Sequence, residues 1–152
     1  MRQLMLMRHA KAVPEHTAGD FARPLAPRGI DQVQRVAHAF RAQGWQPELT
    51  LASPAARTRQ TAEVLEKNLG DINIIIDPVL YLASDDQMLD VLASMPEAIT
   101  RILLIGHNPG ISDLAARLNN QHHLPPLPTA GFMICSLDID CWSNIRWHQA
   151  ID

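Results

Sequence analysis

Four short stretches of the 152-residue chain are almost continuously apolar. They lie at residues 3–8, 48–52, 72–76 and 101–105, and such runs are typical of strands buried on both faces of a parallel sheet. The segments between them carry apolar residues at three- and four-residue spacing, which predicts helices. This alternation predicts an α/β fold with three α/β/α layers, in which helices cover both faces of a mostly parallel sheet. We expect one domain over residues 1–152.

Proline, glycine and serine indicate where the first two helices begin and end. Pro27 is expected at the first position of the first helix, which ends at Gly44. Ser53 and Pro54 are expected to cap and begin the second helix, which stops at Gly70. The second helix is therefore predicted to begin directly at the carboxyl end of a strand.

The C-terminal half contains two further predicted helices. Ser84 caps a short third helix whose first turn carries two aspartates, where the helix dipole favours anions. A fourth helix is predicted over residues 111–119. Residues 130–138 and 143–149 are predicted to form two final strands, joined by a turn near Asp140.

Basic and imidazole side chains stand where the predicted strands end. Arg8 and His9 follow the first strand, Arg57 and Arg59 lie in the first turns of the second helix, and His107 follows the fourth strand. Ligands of open α/β sheets bind outside the carboxyl ends of the strands, so these groups are expected to converge. Arg57 and Arg59 are two residues apart, and only one of them is expected to face the site.

This combination of side chains fits a phosphoryl group. Arginine presents a rigid fork of donors that matches phosphate oxygens, and a neutral histidine is a nucleophile. The helices that start near Pro54 and Pro109 would also direct backbone N–H groups to the same edge. Each residue taken alone is more often structural, but three strand ends of this kind together predict a phosphate site.

Composition narrows the function further. The net charge is −3 and 47% of residues are hydrophobic, which does not favour a nucleic-acid-binding protein. No apolar run approaches the ~20 residues of a membrane span, and the N-terminal run is too short for a signal peptide, so a cytoplasmic location is expected. Cys135 and Cys141 match no metal-ligand spacing and are expected to be free thiols. We expect no metal and no cofactor.

Several segments of the chain resemble the histidine phosphatase superfamily, which has the phosphoglycerate mutase-like fold. "LMRHAKA" resembles the R-H-G/A signature, and "SPAARTRQTAE" resembles the second motif, in which the family arginine falls on Arg57. "LLIGHNPGIS" resembles the third motif, with its catalytic histidine at His107. "DFARPLAPRGIDQ" is similar to the family's R-P-L stretch. The alanine after R-H, the short chain and the R-P-L stretch most resemble the SixA-type phosphohistidine phosphatases.

The resemblance implies a mechanism. His9 attacks phosphorus in line and becomes phosphohistidine, while its other ring nitrogen keeps a proton bonded to a backbone carbonyl. Arg8, Arg57 and His107 hold the phosphoryl oxygens, and water then hydrolyses the phosphoenzyme. No metal is required. Arg23 is a further candidate for substrate binding, and a loop-to-helix ion pair is the equally open alternative.

One departure from the superfamily pattern bears on the substrate. Many members carry an acidic residue after the third strand as general acid, but the positions expected to align with it here are Tyr81 or Leu82. The nearby Asp85 and Asp86 are expected to interact with the helix dipole instead, which leaves their role as an acid open. An alkoxide leaving group needs a proton donor, whereas an imidazole can be protonated before the P–N bond breaks. The missing acid therefore favours phosphohistidine as substrate.

The expected partner is a phosphohistidine-bearing protein, either a phosphotransfer domain or a protein of a phosphotransferase relay. The short connection at residues 77–84 predicts an open site that suits such a partner. A monomer is expected, with no nucleic-acid or membrane partner. A small-molecule phosphomonoester phosphatase and a non-catalytic phosphate-binding module are the alternatives. The remaining histidines are assigned no role.

Overall fold

The computed structural model describes residues 1–151, which form six strands and four α-helices. In chain order the elements are β1 (Arg2–Arg8), α1 (Pro27–Ala42), β2 (Leu49–Ala52), α2 (Ala56–Leu69), β3 (Ile74–Ile76), α3 (Asp85–Ala93), β4 (Arg101–Gly106), α4 (Gly110–Leu118), β5 (Phe132–Leu137) and β6 (Ala150–Ile151). Single 3-10 turns at Asp20–Ala22, Pro78–Leu80 and Trp142–Asn144 lie in the connections.

The six strands form one sheet in the order β3-β2-β4-β1-β5-β6. The first four strands are parallel, and β5 and β6 are antiparallel to their neighbours. β4 lies between β2 and β1, so the carboxyl ends of these three strands are adjacent along one edge. The predicted three-layer α/β/α fold with a mostly parallel sheet is confirmed.

Alternate residues of β1 contribute to two separate apolar cores. Leu4 and Leu6 pack on one face against α3 and α4, while Met5 and Met7 pack on the other face against α1 and α2. All four side chains are fully buried. Because successive side chains of a strand point to opposite faces, the continuous apolar run of β1 is explained by helices on both sides.

Two of the predicted strands differ from the structure. β3 is a partly exposed edge strand, with Ile75 at 44% and Ile76 at 39% exposure, because it pairs only with β2. Residues 143–149 do not form a strand. Ile145 is buried within an irregular segment, and the half-buried Trp147 ring lies 3.7 Å from the Arg117 guanidinium, so these apolar side chains pack against the protein without sheet pairing. The last strand is the short β6.

The predicted helix starts are right for α1 and α3 and wrong for α2. Pro27 begins α1, and Ser84 forms a capping box with Gln87 at the start of α3. α2 begins at Ala56 with no side-chain cap. Ser53 does not cap this helix because its hydroxyl group is engaged elsewhere, as described below.

Two further features concern the cysteines and the character of the helices. Cys135 and Cys141 are free thiols, the first buried and the second half-buried. Within residues 1–151, none of the helices has the length and apolar character needed to cross a membrane.

Candidate active site

Two histidines meet at the carboxyl edge of the sheet. His9 directly follows β1 and His107 directly follows β4, and their ring centroids lie 5.3 Å apart. The backbone N–H of His9 donates to the Gly106 carbonyl at 3.1 Å, which ties the two strand ends together. Arg8 is half-buried at the end of β1, and Arg57 is only 3% exposed in the first turn of α2. The structure thus brings together the four residues of the predicted catalytic site.

The hydrogen bonds of His9 determine which ring nitrogen is free to react. Its Nδ1 lies 2.8 Å from the carbonyl oxygen of Ala10, which can only accept, so Nδ1 carries the proton and donates. Nε2 is therefore unprotonated in the neutral ring. The Ala10 N–H donates to Thr61 Oγ1 at 3.1 Å, and this hydroxyl donates to the Arg57 carbonyl at 2.7 Å. These bonds fix the position of the His9 segment relative to α2.

A chain of hydroxyl groups orients His107. Thr58 Oγ1 lies 2.9 Å from the carbonyl oxygens of both Ser53 and Ala55, to which it donates. Ser53 Oγ then donates to Thr58 Oγ1 at 2.8 Å and accepts from His107 Nε2 at 2.7 Å. The proton of the neutral His107 ring is thus on Nε2, and Nδ1 is an acceptor. Nδ1 is buried and has no hydrogen-bond partner within residues 1–151.

Burial and positive charge keep both rings neutral. Desolvation, with smaller contributions from Arg57, Arg8 and Arg23, lowers the pKa of His9 to about 4 against the opposing bond to Ala10. Desolvation also lowers the pKa of His107 to about 3, with Arg57 as the next cause. At neutral pH the lone pair of His9 Nε2 is therefore available to attack phosphorus.

Asp20 binds the end of the Arg57 guanidinium. Arg57 Nη1 donates to the Asp20 carbonyl at 2.9 Å, and Nη2 donates to Asp20 Oδ2 at 3.1 Å. The Tyr81 hydroxyl donates to the same Oδ2 at 2.6 Å, and Arg23 Nη1 donates to Oδ1 at 2.8 Å. The Tyr81 hydrogen bond and both arginines hold the pKa of the Asp20 carboxyl far below its usual range. The carboxylate is therefore ionised.

Two buried donors at this edge have no partner in the part of the chain that the structure describes. They are Nε of Arg8 and Nε of Arg57. Buried donors without partners are costly, and native proteins rarely leave them unpaired. Arg57 Nε belongs to the side edge of the guanidinium, which Asp20 leaves free. An oxyanion placed between these two arginines would satisfy both donors.

The structure also locates the other candidate residues. Arg59 is exposed and donates to the Pro54 carbonyl, so Arg57 alone faces the site. Arg23 forms an ion pair with Asp20 within one 3-10 turn, so it is in an ion pair, as in the structural alternative, but the pair does not join a loop to an α-helix. Its charge still reaches His9, whose pKa it lowers.

Asp85 and Asp86 begin α3 and bind Arg117 of α4, at 2.9 and 3.4 Å. This arrangement agrees with a structural role at the helix start and does not favour a general acid. Within residues 1–151 no group of three or more histidine, cysteine or acidic residues is placed to hold a metal ion.

Comparison with models of protein families shows to which family the chain belongs. The model of the histidine phosphatase superfamily (branch 1) matches residues 4–81, which contain Arg8, His9 and Arg57. The chain belongs to the histidine phosphatase superfamily. The third motif around His107 lies beyond the matched segment, and the fold places it beside the other two.

Two relatives show how far this membership extends along the chain. An uncharacterised chloroplastic protein of Arabidopsis thaliana is 32% identical over 130 residues, which cover 78% of this chain and 59% of that protein. The chain thus spans less than two thirds of this relative. The phosphohistidine phosphatase SixA of Escherichia coli is 26% identical over 151 residues, which cover 97% of this chain and 93% of that protein.

Solved structures of the superfamily share the fold. A protein histidine phosphatase SixA complexed with tungstate superposes with a TM-score of 0.82 at 27% identity, over 90% of this chain and 88% of that one. A mycobacterial glucosyl-3-phosphoglycerate phosphatase gives a TM-score of 0.73 at 18% identity, over 99% of this chain and 98% of that one. The second likeness concerns the fold alone.

Sequence reasoning missed the role of Asp20 and the contact of Tyr81 with it. Asp20 stands three residues before Arg23 in the R-P-L stretch, a spacing that suits an ion pair and was the available signal. The sequence indicates Tyr81 only as one position that aligns with the missing general acid. Its ring lies 5.7 Å from the His107 ring, edge to face, so it borders the site.

Proposed function

We propose that this chain is a phosphohistidine phosphatase that removes phosphate from a histidine of another protein. The observation that carries the proposal is a neutral nucleophile, His9 Nε2, among arginines whose only carboxylate neighbour in residues 1–151 is the ionised Asp20. Such a site can accept a phosphoryl group but has no carboxylic acid ready to protonate a leaving group. Membership of the histidine phosphatase superfamily supports the phosphatase activity.

In the first step the lone pair of His9 Nε2 forms a bond to phosphorus while the bond from phosphorus to the leaving nitrogen breaks. The electron pair of that bond stays on the leaving imidazole, which carries the proton it took up before cleavage. The Nε edges of Arg57 and Arg8 balance the charge on the phosphoryl oxygens in the transition state.

In the second step a water oxygen attacks phosphorus and the P–N bond to His9 breaks. The electron pair returns to Nε2, the water gives up one proton to bulk solvent, and inorganic phosphate leaves. His9 keeps its Nδ1 proton on the Ala10 carbonyl throughout, so the ring is restored in its starting tautomer. A doubly charged phosphoryl group favours a second proton on His107 Nδ1, which then donates to a phosphoryl oxygen.

The leaving group decides between substrates. An alkoxide must be protonated as it departs, which requires an acid with a suitable pKa. The pKa of Asp20 is held low, and Asp85 and Asp86 are bound to Arg117. Because a phosphorylated imidazole can be protonated from solvent before cleavage, the lack of an acid slows phosphoramidate hydrolysis less than ester hydrolysis.

The surroundings of the site suit a protein substrate. A depression of about 320 Å³ borders it at Asp20 and Arg23, and another of about 410 Å³ borders it at Leu82 and Asn108. Both are open to solvent, and no inserted domain stands over the sheet edge in residues 1–151. The proposed partner is a phosphotransfer domain or a relay protein, and the proposed location is the cytoplasm.

Substrate preference tests the proposal. Wild-type chain is expected to release phosphate from a phosphohistidine protein with a kcat/KM at least about 100-fold above that for a panel of phosphomonoesters, because a catalytic acid contributes about that much. His9→Ala is expected to abolish both turnover and the acid-labile phosphoenzyme, and Arg59→Ala, on the exposed face of α2, serves as the matched control.

Two outcomes would contradict this function. Efficient ester hydrolysis without phosphohistidine hydrolysis would show a small-molecule phosphatase, for which the depression next to Asp20 offers a suitable volume. Phosphoprotein binding by wild type and His9→Ala alike, with no phosphoenzyme, would show a non-catalytic binding module.

A further inference from the structure

Three arginines, Arg8, Arg23 and Arg57, form a cluster at the site. Among residues 1–151, Asp20 is the only acidic residue that contacts this arginine cluster. It binds Arg57 through both its backbone carbonyl and its carboxylate, and it binds Arg23 through the second carboxylate oxygen. A single residue thus holds two of the three arginines at the site. The Tyr81 hydroxyl donates at 2.6 Å to Oδ2, the same oxygen that Arg57 binds, and helps to fix the orientation of the carboxylate.

The contact with Asp20 leaves the Nε edge of the Arg57 guanidinium free. A guanidinium offers one fork at its end, formed by both Nη atoms, and a second along its side, formed by Nε and one Nη. Asp20 takes the end fork, while Nε of the side fork is buried without a partner in the described chain. Asp20 and a phosphoryl group therefore occupy different edges of Arg57, so they are able to bind together.

The charge of Asp20 acts on the phosphoryl group that binds there. The charged groups that reach the two histidines are Arg8, Arg23, Arg57 and Asp20. With both rings neutral, three cations and one anion give the cluster a net charge of +2. Asp20 thus offsets one of the three arginine charges before an anion binds. Without Asp20 the net positive charge would be one unit higher, which would strengthen the binding of a phosphate dianion.

We propose that Asp20 has two roles at this site. It is a positioning residue for Arg57, and its negative charge opposes the binding of phosphate. It fixes Arg57 so that the Nε edge faces the phosphoryl group, and its negative charge weakens the binding of free phosphate so that product leaves. Tyr81 keeps the carboxylate in this position. This inference rests on the proposed function only for its kinetic consequence, since the phosphate affinity is a property of the site itself.

The substitution Asp20→Asn tests both parts. It removes the charge but keeps the backbone contact to Arg57 and nearly the same shape. We expect the dissociation constant for inorganic phosphate, measured by calorimetry, to fall about threefold to tenfold, since the carboxylate is half-exposed and partly screened. We expect kcat for phosphohistidine hydrolysis to fall about tenfold, because Arg57 is less firmly placed.

A matched control and a second variant separate the explanations. Asp90→Asn removes the same charge from an exposed position on α3 and is expected to leave both quantities within about twofold. Asp20→Ala, which also removes the hydrogen bonds to Arg23 and Tyr81, is expected to bind phosphate more tightly and to lower kcat further.

Tighter phosphate binding combined with lower kcat supports the proposal. Weaker phosphate binding together with lower kcat would indicate a purely structural role and overturn it, as would an unchanged affinity. Because calorimetry with phosphate requires no turnover, the binding result remains decisive even if the chain proves not to hydrolyse phosphohistidine.

Discussion

At the scale of single residues, the site depends on the tautomers of two histidines. A backbone carbonyl assigns the His9 proton to Nδ1, and a pair of hydroxyl groups assigns the His107 proton to Nε2. The two rings thus present an unprotonated Nε2 and an unprotonated Nδ1. In the proposed mechanism the first is the nucleophile, and the second gains a proton when a phosphoryl dianion binds. Identical side chains receive different roles from their neighbours.

The low pKa of His9 predicts the acid side of the pH–rate profile. Activity requires unprotonated Nε2, so kcat/KM is expected to stay level down to about pH 5 and to fall as His9 gains a proton near pH 4. The measurement is kcat/KM between pH 3.5 and 8, with circular dichroism at each pH as a control for folding. A fall centred near pH 6.5 would show that the ring is not shielded as the structure indicates.

At the scale of elements, the turn between β4 and α4 places His107. The Ile111 N–H donates to the His107 carbonyl at 2.8 Å, so the turn passes directly into the helix. Gly110 lies against the chain just before α3, where a Cβ atom would overlap the carbonyl oxygen of Ala83 and approach Met88. Glycine therefore allows α4 to start close enough to α3 for the turn to close.

Gly110→Ala is expected to disturb this turn. The overlap must be relieved by moving α4 or the Ala83 segment, which we expect to cost about 1–3 kcal/mol in the free energy of unfolding and to lower kcat. Urea unfolding and turnover measure the two effects. Asp113→Ala, at an exposed position of the same helix, is the control and is expected to change stability by less than about 0.5 kcal/mol. Equal effects of the two substitutions would refute the close packing.

The elements also show where sequence reasoning succeeds. The runs that became β1, β2 and β4 are buried on both faces and flanked by helices, so a local pattern is sufficient to predict them. Residues 143–149 were predicted as a strand, but Ile145 is buried and Trp147 half-buried through tertiary contacts of an irregular segment. Local periodicity contains no information about such contacts.

The same distinction holds within the site. His9 and His107 follow apolar runs, so their position at one sheet edge follows from the predicted topology. The contacts of Asp20 with Arg57 and Tyr81 join residues 37 and 61 positions away. Ser53 was expected to cap a helix, and its hydroxyl instead binds a histidine 54 positions later. Local sequence pattern cannot choose among such distant partners.

At the scale of the whole molecule, β4 connects the two halves of the site. It lies between β1, which leads to His9, and β2, which leads to the helix of Arg57. The two N-terminal strands do not pair with each other. The spacing between His9, the proposed nucleophile, and Arg57 is therefore set by a strand that begins at Arg101.

A nicked chain tests this dependence. A protease site introduced near residue 97, in the connection before β4, is expected to leave activity largely intact after cleavage, because sheet pairing holds both pieces together. After separation in urea and refolding, the piece containing residues 1–96 is expected to form no phosphoenzyme by itself. The uncleaved chain taken through the same urea cycle is the control. A phosphoenzyme on the isolated piece would show that β4 is not required.

The sheet order also has a consequence for synthesis on the ribosome. β1 pairs with β4 and β5, and both are translated after it. At about 5–20 residues per second, the strand that carries the nucleophile remains without a partner for roughly 5–20 seconds. During this interval the apolar residues 4–7, which are fully buried in the folded protein, have no sheet to join, and exposed apolar segments of this kind favour aggregation.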